Sequence, residues 1–370
     1  MRTLLFAVAC AILGGWADSS AFSEPLQSAL VEKRARLAAE FMAQMQLPNG
    51  LFEYEYDFLR GGFTSGNNIV RQAGATAVLG EYASFSGNAA VAESAGAAIA
   101  ALAALSVAYE GGAVVSTTDL PKDGNTGATA LSLLAELHYF AATGDTRFQD
   151  SRRGWLRALS QLQLPSGGFA QAPETEVESS YFNGEAWLAL AEYARPFPTD
   201  AAAASVLKKA DSYLMTHYGA EPNPQFAHWG LMAASVRYHT TGESRFLDFL
   251  ALLSEAFLTD LRPEFDPARN GCSAVEGLAA AARALSKGRQ HNGLVERIRD
   301  RVELELSNSL ELQIMPGQER IHFGGERFLV GSELAGMAGA FLNGRFNPRA
   351  RIDTTQHCLS ALMKYAQFRS

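Results

Sequence analysis

"QLPSGGF", residues 163–169, ends one kind of chain and starts another. A near copy, "QLPNGLF", spans residues 46–52, and a looser version, "LQIMPG", spans residues 312–317. Each follows a charged, amphipathic run: "LVEKRARLAAEFMAQMQ", "TRFQDSRRGWLRALSQLQ" and "GLVERIRDRVELELSNSLELQ". Apolar positions in these runs recur at helical spacing. Proline cannot continue a helix and glycine supplies the turn, so the phrase reads as a helix terminator rather than a binding loop. After "QLPNG" the pattern changes to period two. Phe52, Tyr54, Tyr56 and Phe58 fall on one side of an extended segment, and Glu53, Glu55 and Asp57 on the other, the wet side. Glu174, Glu176 and Glu178 repeat the alternation after the second phrase.

A second class of helix lies between. Each opens with polar or aromatic residues, meets a glycine and then turns small and apolar. The glycines are Gly74, Gly127, Gly184, Gly230 and Gly277, spaced by 53, 57, 46 and 47 residues. A sixth member, "DTTQHCLSALMKYA", starts at Asp353 and carries Ser360 near the glycine position. Two helices per period of about 50 residues predict stacked helical hairpins. Six hairpins can close into a ring, with small-residue helices crowded inside and amphipathic ones outside.

The hairpin period, the small-residue inner helices and the "Q-x-P-x-G-G-F" endings resemble the α/α-toroid proteins. That group includes the six-hairpin glycosidases and, more distantly, the terpenoid-cyclase and prenyltransferase toroids. The resemblance covers residues 27–368. It implies an all-α (α/α)6 toroid in one domain over residues 22–370, with extended segments crossing the cavity mouth where the inner helices begin. An open helical solenoid is the alternative.

That mouth is where function is expected, because helix N-termini aim free N–H groups and positive dipole ends at it. Its residues are unusual for a core. Arg71 needs an acid partner or an anionic ligand, such as a uronic acid. Glu185 and Glu276 sit beside glycines among apolar residues, where desolvation would raise a carboxyl pKa and suit a general acid. Asp353 and His357 share a helix face. Asp123 is a further carboxylate. Glu185, Glu276, Asp353 and Asp123 are therefore the catalytic candidates. Asn68, Arg71, Gln72, Tyr181, His228, Trp229 and His357 are the substrate-binding candidates, since aromatic faces stack on sugar rings and amides pair with hydroxyls. The Asp-Asp pair that several six-hairpin glycosidase families carry is absent. Cys272 and His357 are similar to the zinc ligands of prenyltransferase-type toroids, but Asn270 stands where the liganding Asp would be. No metal or cofactor is expected. Cys272 and Cys358 can instead form a disulfide if their helices are neighbours.

The chain has 370 residues, 48% hydrophobic and 19% charged, with a net charge of −8. That balance argues against nucleic-acid binding. Arg2, an apolar run from Leu4 to Leu13 and small residues through Ala21 predict a signal peptide over residues 1–21 and a periplasmic or secreted protein. No later stretch is long and apolar enough to span a membrane. The expectation is an exported glycan-processing enzyme, most simply a glycoside hydrolase acting on a carboxylated or polar saccharide through paired carboxylates. A uronic-acid lyase or epimerase, with Tyr181 or His357 as base, is the alternative enzyme, and a non-catalytic glycan-binding or scaffold toroid the alternative outside catalysis. Protein partners are not legible.

Overall fold

The computed structural model describes residues 26–369 except 290, 325–327 and 331; the segment read as a signal peptide lies outside them. The described helices are α1 (Ser28–Gln44), α2 (Ile69–Ser86), α3 (Ala89–Ala104), α4 (Thr126–Thr143), α5 (Gln149–Leu162), α6 (Ser180–Tyr193), α7 (Ala201–Ala220), α8 (Pro224–Thr241), α9 (Ser244–Ala256), α10 (Cys272–Gly288), α11 (Asn292–Leu310) and α12 (Ile352–Arg369). The even-numbered helices pack in sequence, and α12 returns to pack on α2, so the ring is closed. The odd-numbered helices surround it: α1 lies against α12 and α2, α3 against α2 and α4, and so on round to α11 against α10 and α12. The core fills the space between the two circles. The expected all-α toroid is what forms, and an open solenoid is not.

Small residues do not mark the inner circle as cleanly as the sequence suggests. Ala-rich α3 is an outer helix. The inner glycines are needed for close approach. At Gly277 an added Cβ would lie 2.5 Å from the His228 carbonyl oxygen, so only glycine lets α10 close on α8.

The repeated phrase is a staple between outer helices. In the first copy the Gln46 amide donates to the carbonyls of Gly50 and of Ser94 on α3. In the second, the Gln163 amide donates to Gly167 and to Val206 on α7. The turn glycines have φ of +87° and +107°, and a Cβ on either would meet the backbone of that same next outer helix. The third copy is not where the sequence places it. Gln313 donates to Arg34 on α1 and to Gly339, not Gly317. Gly339 has φ +100° and abuts Leu37 of α1. The phrase is thus split, its glutamine and glycine 26 residues apart instead of 4.

After each phrase a phenylalanine N–H docks on a side chain from the fourth residue of the next inner helix. Phe52 donates to Gln72, Phe169 to Asn183 and Phe341 to Thr355. The extended segments then build strands. These are β1 (Glu55–Asp57), β2 (Gly62–Phe63), β3 (Ser106–Tyr109), β4 (Gly112–Val115), β5 (Arg320–His322), β6 (Phe328–Val330), β7 (Leu342–Gly344) and β8 (Asn347–Arg351). β3–β4 and β5–β6 are hairpins, and the other four form an antiparallel sheet in the order β2-β1-β8-β7. The acidic side of β1 is therefore not wet. Glu55 and Asp57 are 8% and 2% exposed, and Arg349 of β8 lies 3.4 and 3.2 Å from their carboxylates. The stretch before α12 holds a short 3-10 turn at Ser332–Met337 and the β7–β8 hairpin, which delivers the chain into α12.

Candidate active site

The ring is hollow at both ends. A cavity of about 680 Å³ opens at the inner-helix N-termini and one of about 900 Å³ at their C-termini. Gly74, Leu131, Trp229 and Gln356 line both and form the partition. Of the sequence candidates, Asn68, Arg71, Tyr181, Glu185, His228, Trp229, Asp353 and His357 all line the N-terminal cavity.

Three candidates have other places. Asp123 sits in an exposed 3-10 turn outside the cavity, where its carboxylate accepts from Thr118. Gln72 is fully buried and spends its amide on the Phe52 backbone and on Asn67, so it docks a strand instead of a substrate. Glu276, only 1% exposed, borders the C-terminal cavity instead, behind two histidines.

Those histidines set the character of the site. His357 Nδ1 is 2.8 Å from Glu276 Oε1, and His228 Nε2 is 3.7 Å from the same oxygen. The two rings lie 5.8 Å apart at 80°. Burial works against the Glu276 charge, but His357, by charge and hydrogen bond, then His228 and Lys364, hold it below its ordinary pKa. Glu276 is therefore ionised, which corrects its assignment as general acid. Burial alone would lower His357 as well. The Glu276 carboxylate and its hydrogen bond, with Asp353, raise it above 6.5 overall. Burial drives His228 down to about 4, the pull of Glu276 opposing and His357 assisting. Its Nε2 is buried without a hydrogen-bond partner among the described residues. The same wall thus drives one imidazole's pKa down and the other's up.

Glu185 stands apart. It is 4% exposed, its Oε2 has no hydrogen-bond partner among the described residues, and burial pushes its pKa well above the carboxylate range. It fits the protonated acid the sequence suggested. Asp353 is different again. Arg71 Nε lies 3.0 Å from one of its oxygens, and Arg351 bonds the other. Arg71 also bonds Tyr54. Asn68 caps α2 by accepting from the Arg71 N–H, and Asn125 caps α4. Tyr181, 44% exposed, stands at the rim, its ring 6.4 Å from His228.

Sequence reasoning missed Arg351, Arg262 and Asn343 on the cavity wall. Arg351 stands two residues before Asp353, a local signal that was present; Arg262 and Asn343 carry none. Cys272 and Cys358 form a disulfide between α10 and α12, so neither offers a thiolate to a metal. His228, Glu276 and His357 have ligand atoms within 4.8 Å of one another, close enough to share a cation. Two of the three, Glu276 and His357, already lie at hydrogen-bond distance, 2.8 Å.

No family model and no curated protein matches this sequence. Solved structures do match. The GH76A α-1,6-mannanase from Salegentibacter sp. HEL1_6 is similar at 12% identity and a TM-score of 0.65, covering 91% of this chain and 99% of that one. An unsaturated glucuronyl hydrolase specific for heparin is similar at 12% identity and 0.64, covering 93% and 98%. A sugar epimerase from a ruminal bacterium is similar at 12% and 0.64, covering 91% and 98%. The chain shares the α/α-toroid fold of these structures. At this identity the likeness speaks of fold, and the side chains must speak of chemistry.

Proposed function

We propose that the chain is an exported, single-domain sugar-processing enzyme that moves a proton at a carbon beside a carbonyl or carboxyl group, as an epimerase or isomerase does. The observation that carries this is the pair of histidines on one buried carboxylate, 2.8 and 3.7 Å from the same oxygen, with pKa values shifted in opposite directions. Groups whose environments drive their pKa values apart are a natural base and acid. His228, neutral, accepts the proton as the C–H bond breaks and its electron pair moves toward the neighbouring oxygen. His357, charged and oriented by Glu276 at Nδ1, returns a proton from Nε2. Arg71, held by Asp353 and Tyr54, supplies the positive charge that steadies the developing oxyanion or a substrate carboxylate. Tyr181, Trp229 and the rim amides suit a sugar, and the similar structures include a mannanase, a glucuronyl hydrolase and a sugar epimerase. Among the described residues no helix is long and apolar enough to cross a membrane.

Glycoside hydrolysis is the second reading, and protonated Glu185 favours it. Among the described residues Glu185 faces no free second carboxylate. Asp353 is held by two arginines, Glu276 lies behind the histidines and Asp123 is outside the cavity. One mannanase of the same fold is described as inactive with two consecutive aspartates replaced; this chain has no such pair.

The test is incubation of the protein in D2O with a panel of neutral sugars, uronic acids and oligosaccharides, followed by NMR. Deuterium entering at the carbon beside the carbonyl or carboxyl group, and lost in His228→Asn and His357→Asn, is the expected result. New reducing ends that depend on Glu185 and not on the histidines would replace it with hydrolysis. An unsaturated product would point to a lyase.

A further inference from the structure

The disulfide closes beside the proton-transfer set. Cys272 opens α10, and Glu276 lies one turn further along the same face. On α12, Cys358 follows His357 directly. The two Cα atoms are 4.7 Å apart, and the cysteines are 1% and 0% exposed. Glu276 and His357, 81 residues apart in sequence, meet across this same α10–α12 seam at 2.8 Å. The opposite seam, between α10 and α8, is set by the contact of Gly277 with the His228 backbone. Each side of Glu276 therefore has its own spacer, one covalent and one steric.

We propose that the Cys272–Cys358 disulfide is a positioning clamp: it holds α10 against α12 so that Glu276 stays bonded to Nδ1 of His357 and the histidine keeps Nε2 for the substrate. This rests on the reading that these residues move a proton. A slide of roughly 1 Å between the two helices would stretch the hydrogen bond past its working range. A buried carboxylate left without its partner would then take up a proton or draw in water. The charged and titratable groups facing His357 are Glu276, His228, Asp353 and Arg351. Of these only Glu276 is carried by the helix the clamp secures to α12. The reduced protein should keep its ring and lose its paired acid, which suits an oxidising compartment.

The experiment compares oxidised wild type with Cys272→Ala/Cys358→Ala, following the histidine Cε1–H resonances by NMR against pH, with His357→Asn for assignment. The expected result is a His357 titration above the ordinary value in the wild type and a fall of roughly one pH unit or more in the double variant. In the deuterium-exchange assay kcat should fall at least tenfold with KM little changed. If the double variant does not fold, the wild type reduced with a phosphine gives the same comparison: the disulfide takes two electrons and two protons to become two thiols, and the phosphine becomes its oxide. A lower melting temperature with an unmoved His357 titration would overturn the clamp and leave a plain structural staple. Absence of exchange in the oxidised wild type would sink the proton-transfer reading instead, and the NMR comparison would still decide the clamp.

Discussion

His228 and His357 show how little a residue's type says about its charge. Both stand beside Glu276, His228 buried and His357 half-buried, yet one is driven down to about 4 and the other held above 6.5. The catalytic rate should therefore follow a bell. Its acid limb lies near pH 4, where His228 takes up a proton. Its basic limb lies above 6.5, where His357 loses one; kcat measured across pH checks both. Glu185 gives a stability test. Its folded pKa is raised, so its contribution is fully present below the ordinary carboxylate value and is lost as pH rises. Glu185→Gln removes that loss. Its melting temperature should gain on wild type between about pH 5 and pH 8, with a slope of up to roughly 1.4 kcal/mol per pH unit. That Glu185, His228 and His357 line the mouth was legible, since each stands in the first turns of an inner helix. Which of them would pair was not. The Glu276–His357 contact spans 81 residues and leaves no local pattern.

At the scale of elements, the phrase was legible as a stop because proline and glycine act locally. Its second duty, bonding to the next outer helix, was invisible because Val206 and Ser94 contribute only backbone carbonyls. Gln163→Ala should cost about 1–3 kcal/mol by removing its bonds to the Gly167 and Val206 carbonyls, read as a shift in denaturation midpoint. Gly167→Ala should cost at least as much. It places a side chain at φ +107° and 2.7 Å from the Lys209 carbonyl oxygen. Gln72 was misread for the same reason as the phrase. A buried amide at a helix start looks like a ligand contact until its backbone partner is seen. Gly277→Ala should separate α8 from α10 and disturb His228 more than His357, visible as unequal changes in their NMR titrations.

At the scale of the molecule, a period of about 50 residues and six glycine-type helices carried most of the architecture. Ring closure did not follow from the period; it needed the packing of α12 on α2. The split third phrase bears on how such a ring changes over time. Gln313 and Gly339 make the same bonds as their counterparts although the chain between them is far longer. The bond to the frame is thus made whatever the length of chain between its two residues. That longer chain also packs, since Ile321, Leu334 and Met337 are buried in the core. Replacing residues 315–338 with the short Pro-Asn link of residues 48–49 should therefore keep the Gln313–Gly339 bond and lower the melting temperature, read by calorimetry. A corner that can lengthen without losing its fastening is where such a scaffold gains material, and it is where an engineer should begin.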